Sequence, residues 1–229
     1  MWLCWTLCLT LALVVPDAAM TKGLDDSLSI YGVGVNGGAG VYLGNGLVLS
    51  VAHVVGGGIV NKPKVTIAGH TLLASVAKES PFEQLDLALL EINEAGLPVS
   101  LRLRRLALCQ GRTWPGEEVV SLTPHGAVRS QVISTADLPA NARKFSTVFR
   151  DDGTTGNSGT AVFEAQRRCL LGVVSRGISQ IYSEKGSGKK TTRYIAKYFV
   201  DAATIGKFIP KQFQLPAESH PPIQFSVRQ

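Results

Sequence analysis

Residues 32–49 read GVGVNGGAGVYLGNGLVL. Small and apolar residues alternate, and Asn-Gly interrupts the alternation twice, at Asn36-Gly37 and at Asn45-Gly46. Asn-Gly supplies the two consecutive positive-φ residues that a two-residue hairpin loop needs. A period of two places every second side chain on one face of a strand. This stretch therefore predicts strands joined by tight turns, and it commits the chain to local antiparallel pairing. The same pattern recurs at Lys64–Ile67 and Thr71–Ala77, and Leu85–Ile92 reads as an apolar strand carrying one acid on its buried side. A second series follows at Glu117–Leu122, Arg129–Ile133, Ser146–Phe149, Gly159–Phe163, Cys169–Val174 and Tyr198–Val200. Helix is expected only near the end, where Asp201 can cap Ala202–Phe208 ahead of Pro210. Two series of short strands with almost no helix predict an all-β architecture, a sandwich or a pair of barrels divided near residues 101–114. No period of about 20–50 residues marks a solenoid.

The two ends read differently from this middle. MWLCWTLCLTLALVVPDAA is apolar from Trp2 to Val15 and then polar. The run is short for a bilayer span and has the length of a secretory leader, so residues 1–19 read as a signal peptide and the protein as secreted or periplasmic. The competing reading starts the folded chain at Met20. With the leader removed, no membrane span is expected. The stretch 211–229 holds three prolines and little periodicity, and reads as an extended or disordered tail.

Cys4 and Cys8 lie in the leader, which leaves Cys109 and Cys169. They can form one disulfide in an oxidising compartment or pack as two buried thiols. Two cysteines without neighbouring histidine pairs give no metal motif, and nothing in the chain calls for a cofactor. The net charge of +6 is carried by clusters such as RLRR at 102–105 and KKTTR at 189–193. No aromatic residues interleave with them, so specific nucleic-acid binding is not expected.

The chemistry centres on TTGNSGTAVF, residues 154–163, which sets Ser158 between polar residues and a strand. A serine hydroxyl becomes a nucleophile only with an imidazole to take its proton and a carboxylate to orient that imidazole. Of the four histidines, His70 and His125 lie beside turns and His220 lies in the tail. His53 sits inside the apolar SVAHVV, directly after a strand. Asp86 lies within LDLALL, where a charge needs either a partner or an outward-facing edge. His53, Asp86 and Ser158 occur in that order.

At these residues the chain resembles the chymotrypsin-like (trypsin-like) serine proteases. VAHVV, DLALL, GNSGTAVF and LLGVVSRG correspond to the segments carrying that family's histidine, aspartate, serine and substrate-binding strand. The resemblance runs from about Gly32 to Pro210. It implies two perpendicular six-stranded antiparallel β-barrels, with a protease domain over residues 25–210 and a cleft between the barrels. It implies His53 as general base, Asp86 as its orienting carboxylate and Ser158 as nucleophile. The N–H groups of Gly156 and Ser158 would form the oxyanion hole, and Gly159 would leave room behind the serine. Asp152, six residues before Ser158, would lie at the base of the specificity pocket and favour Arg or Lys there. Ser175, Arg176 and Gly177 match the strand that pairs with substrate backbone, Arg176 replacing a common aromatic residue in a way that narrows the pocket or favours acidic residues along the substrate.

Asn157 stands where digestive members carry an aspartate, so activation by a new N-terminus is not expected. The GNSG form looks more like bacterial members of the high-temperature-requirement type, here as a stand-alone single domain. The implied activity is peptide-bond hydrolysis on protein or peptide substrates. The competing class is a binding module that keeps the fold without turnover. A third reading, an esterase or viral-type processing protease, uses the same triad.

Overall fold

The computed structural model describes residues 23, 25–56, 62–123, 126–150, 158–183, 190–213 and 215. The leader and most of the tail therefore lie outside the described residues.

The first sheet contains β1 (Gly32–Val35), β2 (Gly38–Gly44), β3 (Leu47–Ser50), β4 (Lys64–Ile67), β5 (His70–Ser80) and β6 (Leu87–Ile92). It closes into a barrel in the order β1-β2-β3-β6-β5-β4. Both Asn-Gly pairs occupy the hairpin loops, with φ of 47° and 91° at Asn36 and Gly37, and 53° and 72° at Asn45 and Gly46. Two positive φ angles in succession match the right-handed twist of the flanking strands.

The second sheet contains β7 (Glu118–Thr123), β8 (Gly126–Gln131), β9 (Val148–Arg150), β10 (Ala161–Glu164), β11 (Leu170–Ser183) and β12 (Lys190–Asp201). Its order is β8-β7-β10-β11-β12-β9, and every pairing is antiparallel. An isolated bridge from Val132 to Phe149 draws its two edge strands together. This is the chymotrypsin-like architecture, with one barrel fully closed and the other closed only through that bridge. The terminal helix Ala202–Phe208 forms as expected, and the Asp201 carboxylate accepts from the Thr204 N–H at 2.7 Å. No helix among the described residues is long and apolar enough to cross a membrane.

The continuous apolar run of β6 follows from its position. Leu87 and Leu89 join a cluster that also holds Val120, Phe163, Leu170 and Ile205, side chains from both halves of the molecule. Ala88 and Leu90 point the other way, to Val35, Tyr42 and Ile67 inside the first barrel. A strand buried on both faces loses the alternation that marks a half-exposed one.

The segment between β6 and β7 binds both barrels. Leu106 N–H donates to Leu43 O at 3.1 Å, and Cys109 N–H donates to Leu170 O at 2.9 Å. Cys109 and Cys169 are joined as a disulfide, so this connection is fastened to the start of β11.

Three sequence expectations are revised. Helix is not confined to the end of the chain: the strand stops at Ser50 and α1 (Ala52–Val55) makes one helical turn, ended by Gly56 at φ 74°. Val51, Ala52 and Val55 are buried while His53 faces outward, a spacing that a helical turn satisfies and a strand does not. Asp86 is not inside its strand but immediately before it, at φ 53°. Finally, β11 and β12 extend far beyond the apolar segments that announced them. Their outer halves are mostly exposed, so no continuous buried face wrote a period into the sequence.

Candidate active site

His53 is held out from α1 by the burial of its neighbours, and its side chain is 33% exposed. Asp86 ends a tight turn begun by Pro81, whose carbonyl accepts from Gln84 N–H at 2.9 Å and from Asp86 N–H at 3.0 Å. Asp tolerates the left-handed backbone region better than most side chains. That conformation accompanies a carboxylate turned into the protein, where Asp86 is 1% exposed.

The buried carboxylate has three donors around it. His53 backbone N–H donates to Oδ1 at 3.2 Å. His53 Nδ1 lies 2.9 Å from Oδ2 and 3.1 Å from Oδ1. Ser175 Oγ donates to Oδ2 at 2.5 Å. An ionised carboxylate only accepts hydrogen bonds, so the proton of a neutral His53 ring sits on Nδ1 and Nε2 keeps its lone pair. The pair is thus arranged to leave Nε2 as the basic nitrogen. Ser175 reaches Asp86 from a register shift in β11 between Val174 and Arg176, a kind of irregularity that re-aims side chains.

Ser158 opens the turn into β10, and its backbone is tied to the first barrel. Ala39 N–H donates to Ser158 O at 3.1 Å, and Ser50 Oγ donates to Ala39 O at 2.7 Å. Ser50 lies two residues before α1, so one chain of hydrogen bonds runs from the serine turn to the base of the histidine turn. Gly159 N–H donates to Val174 O at 2.7 Å on the opposite side. Gly159 has φ 84°, and a Cβ there would lie 1.9 Å from Ala39 O. Only glycine fits.

Gly156, Asn157 and Asp152 lie outside the described residues. Arg176 and Gly177 follow Ser175 on β11, beside the Asp86 turn. The Arg176 guanidinium stacks 3.9 Å from the Phe82 ring centroid, a cation–π contact, and donates to the Phe82 carbonyl. Its Nε is buried with no hydrogen-bond partner among the described residues. Phe82 in turn meets His53 edge-on, with centroids 5.5 Å apart and planes at 86°. Sequence reasoning did not pick out Phe82. A single aromatic residue in the turn PFEQ carries no motif, although its place four residues before Asp86 was visible.

The trypsin-like peptidase domain family model matches residues 38–173. Among solved structures, an inactive serine-to-alanine mutant of Rv3671c from M. tuberculosis H37Rv superposes with a TM-score of 0.56 at 18% identity. That match covers 85% of this chain and 92% of the other. The MamO protease domain from Magnetospirillum magneticum gives 0.51 at 20% identity over 80% and 98% of the two chains. Kallikrein-related peptidase 10 gives 0.55 at 15% identity over 81% and 95%. These likenesses concern the fold. No curated protein matches the chain by sequence. The family match spans more than half of the sequence and includes His53, Asp86 and Ser158, and this chain belongs to the trypsin-like peptidase domain family.

Proposed function

We propose that this protein is a serine endopeptidase that works through a Ser158-His53-Asp86 triad and an acyl-enzyme intermediate. Ser158 Oγ attacks the peptide carbonyl carbon and His53 Nε2 takes its proton. The tetrahedral intermediate collapses, the C–N bond breaks, and the leaving amine receives that proton from His53. Water then repeats the sequence on the ester and frees Ser158. Asp86 holds the Nδ1–H tautomer and stabilises the imidazolium formed in each half-reaction. Gly156 and Ser158 N–H groups serve the oxyanion. Residues 175–177 align the substrate main chain, and Asp152 selects a basic side chain before the scissile bond.

The observation that carries this reading is the buried Asp86 carboxylate, bonded to Nδ1 of a histidine that stays partly open to solvent. A carboxylate 1% exposed and 2.9 Å from a histidine nitrogen costs stability unless it is paired, and such arrangements recur where chemistry needs them. The Cys109–Cys169 disulfide is in keeping with an oxidising compartment, which the leader at residues 1–19 would deliver the domain to.

A fluorophosphonate probe tests the assignment. Wild type is expected to label covalently, and Ser158→Ala and His53→Ala to lose the label while remaining folded. A folded wild type that stays unlabelled would favour the non-catalytic binding module.

A further inference from the structure

The basic cluster RLRR at residues 102–105 has no part in the chemistry above. It follows a single helical turn, Val99–Arg102, in the connection between the barrels. Arg102 N–H donates to Pro98 O at 3.1 Å, and Leu103 N–H donates to Val99 O at 3.0 Å. Side chains four apart on such a turn lie one above the other. Leu97 and Leu101 are one such pair, each 4% exposed and packed into the first barrel. Val99 and Leu103 are the other, and they face outward, 57% and 72% exposed. Leu103 is the most exposed large apolar side chain among the described residues. The core already has its contact with this turn, so the second apolar pair serves no internal packing, and a position that would ordinarily be polar is apolar.

The arginines around this pair form no ion pair with a carboxylate among the described residues. Arg104 Nη1 donates to Ile30 O at 2.7 Å, and Arg105 Nη1 donates to Arg102 O at 2.5 Å and Arg104 O at 2.6 Å. Arg102 Nε is buried with no acceptor among the described residues. Glu94, the acid nearest in sequence, is taken by the Tyr42 hydroxyl. Carbonyl oxygens hold the guanidiniums in place without cancelling their charge, so three positive charges stand within four residues beside two exposed apolar side chains. The place of this patch in the chain selects its occupant. Ile30, 41% exposed, and Tyr31, whose hydroxyl donates to Arg105 O at 3.4 Å, tie it to the turn Ser27–Tyr31, through which the chain enters the fold. The apolar run Trp2–Val15 ends ten residues before Asp25, and ten residues span at most about 35 Å. A bilayer that engages this run is within reach of the patch.

We infer that Val99 and Leu103, with Arg102, Arg104 and Arg105, dock the domain on a membrane surface rich in anionic phospholipid. The two apolar side chains enter the headgroup layer, and the guanidiniums meet phosphate oxygens. The contact is peripheral and reversible, because a few side chains at the interface hold far less strongly than a spanning helix. It is weakened by salt, which screens exposed charges. This role is separate from the triad and does not depend on turnover.

Hydrogen exchange of the full chain on lipid vesicles reads the patch directly, so binding by residues 1–19 does not decide the result. With vesicles of phosphatidylglycerol and phosphatidylcholine in equal parts, the amides of residues 97–106 are expected to exchange severalfold more slowly than in solution. Vesicles of phosphatidylcholine alone should leave them unchanged, and high salt should reverse the protection. Val99→Ser/Leu103→Ser changes two exposed positions and is expected to lose the protection while keeping its fluorophosphonate labelling. Arg105→Gln should weaken partitioning onto the anionic vesicles about fivefold, the effect of one arginine near such a surface. Wild type that binds no vesicle, or that binds while residues 97–106 exchange as in solution, overturns the inference. Equal protection on both kinds of vesicle overturns it too, as does protection reproduced by heparin or by raised protein concentration without lipid, which would assign the face to a soluble polyanion or to a second copy. Each of these outcomes leaves the protease assignment standing.

Discussion

Ser175 Oγ and His53 Nδ1 converge on the same atom, Oδ2 of Asp86, at 2.5 Å and 2.9 Å. One donor comes from the second sheet and the other from the first barrel, so the carboxylate is oriented by both halves of the fold. A buried charge pinned from two sides has little freedom to rotate, and neither does the imidazole it holds. That rigidity is what a proton relay requires.

Asp86→Asn should therefore be far more damaging to turnover than to folding. An amide can present its NH2 to Nδ1 and stabilise the wrong tautomer, leaving the proton on Nε2. In the general serine triad this change lowers kcat by about 10⁴, and the same order is expected here. Steady-state kinetics beside a thermal melt checks it; turnover within tenfold of wild type would remove Asp86 from the role.

Gly159→Ala should unfold the serine turn. The methyl would sit 1.9 Å from Ala39 O, and φ 84° is already unfavourable for a residue with a Cβ. The Ser158 carbonyl bond to Ala39 would have to break. A stability loss on the order of 3 kcal/mol or more is expected in urea unfolding, with loss of fluorophosphonate labelling. A variant as stable and as reactive as wild type would contradict this geometry.

Reduction of the Cys109–Cys169 disulfide, or the Cys109→Ser/Cys169→Ser double substitution, should destabilise the second barrel. The bridge closes a loop with a sequence separation of 60, for which chain entropy gives about 4 kcal/mol. Denaturant midpoints with and without reductant measure it. The His53–Asp86 pair does not touch the disulfide, so residual folded protein should keep its labelling rate. An unchanged midpoint would count against a structural role for the bridge.

Glu117 predicts a pH dependence. Burial pushes its carboxyl from the ordinary 4.5 up to about 7, against the opposing pull of the Trp114 N–H and the Arg167 guanidinium. Between these values the folded protein holds a proton that the unfolded chain has released, so this group makes stability fall as pH rises from about 4.5 to 7. Glu117→Gln does not titrate and lacks that contribution. The stability of wild type relative to Glu117→Gln should drop by up to about 3 kcal/mol over the window, 1.36 kcal/mol per pH unit of displacement. Unfolding free energies at pH 4.5, 6 and 8 decide it; a difference that grows with pH would reverse the assignment.

How much of this could be read from residues alone depended on the range of the forces involved. Turns and caps are local, so Asn36-Gly37, Asn45-Gly46 and the Asp201-capped helix stood in the sequence as they stand in the molecule. Apolar alternation and short apolar runs report buried faces, and together with the turn signals they marked enough short strands to give the fold class. The candidate residues were singled out jointly, by the order in which His53, Asp86 and Ser158 occur and by the four motifs that resemble the family, since each alone has an ordinary structural reading. Tertiary structure decided what no local rule contains. It set Ser175 against Asp86 across the two sheets and Phe82 between His53 and Arg176, because those contacts join residues 29 to 94 positions apart. It also decided the reach of β11 and β12, whose mostly exposed outer halves are held by main-chain hydrogen bonds that depend little on side-chain identity.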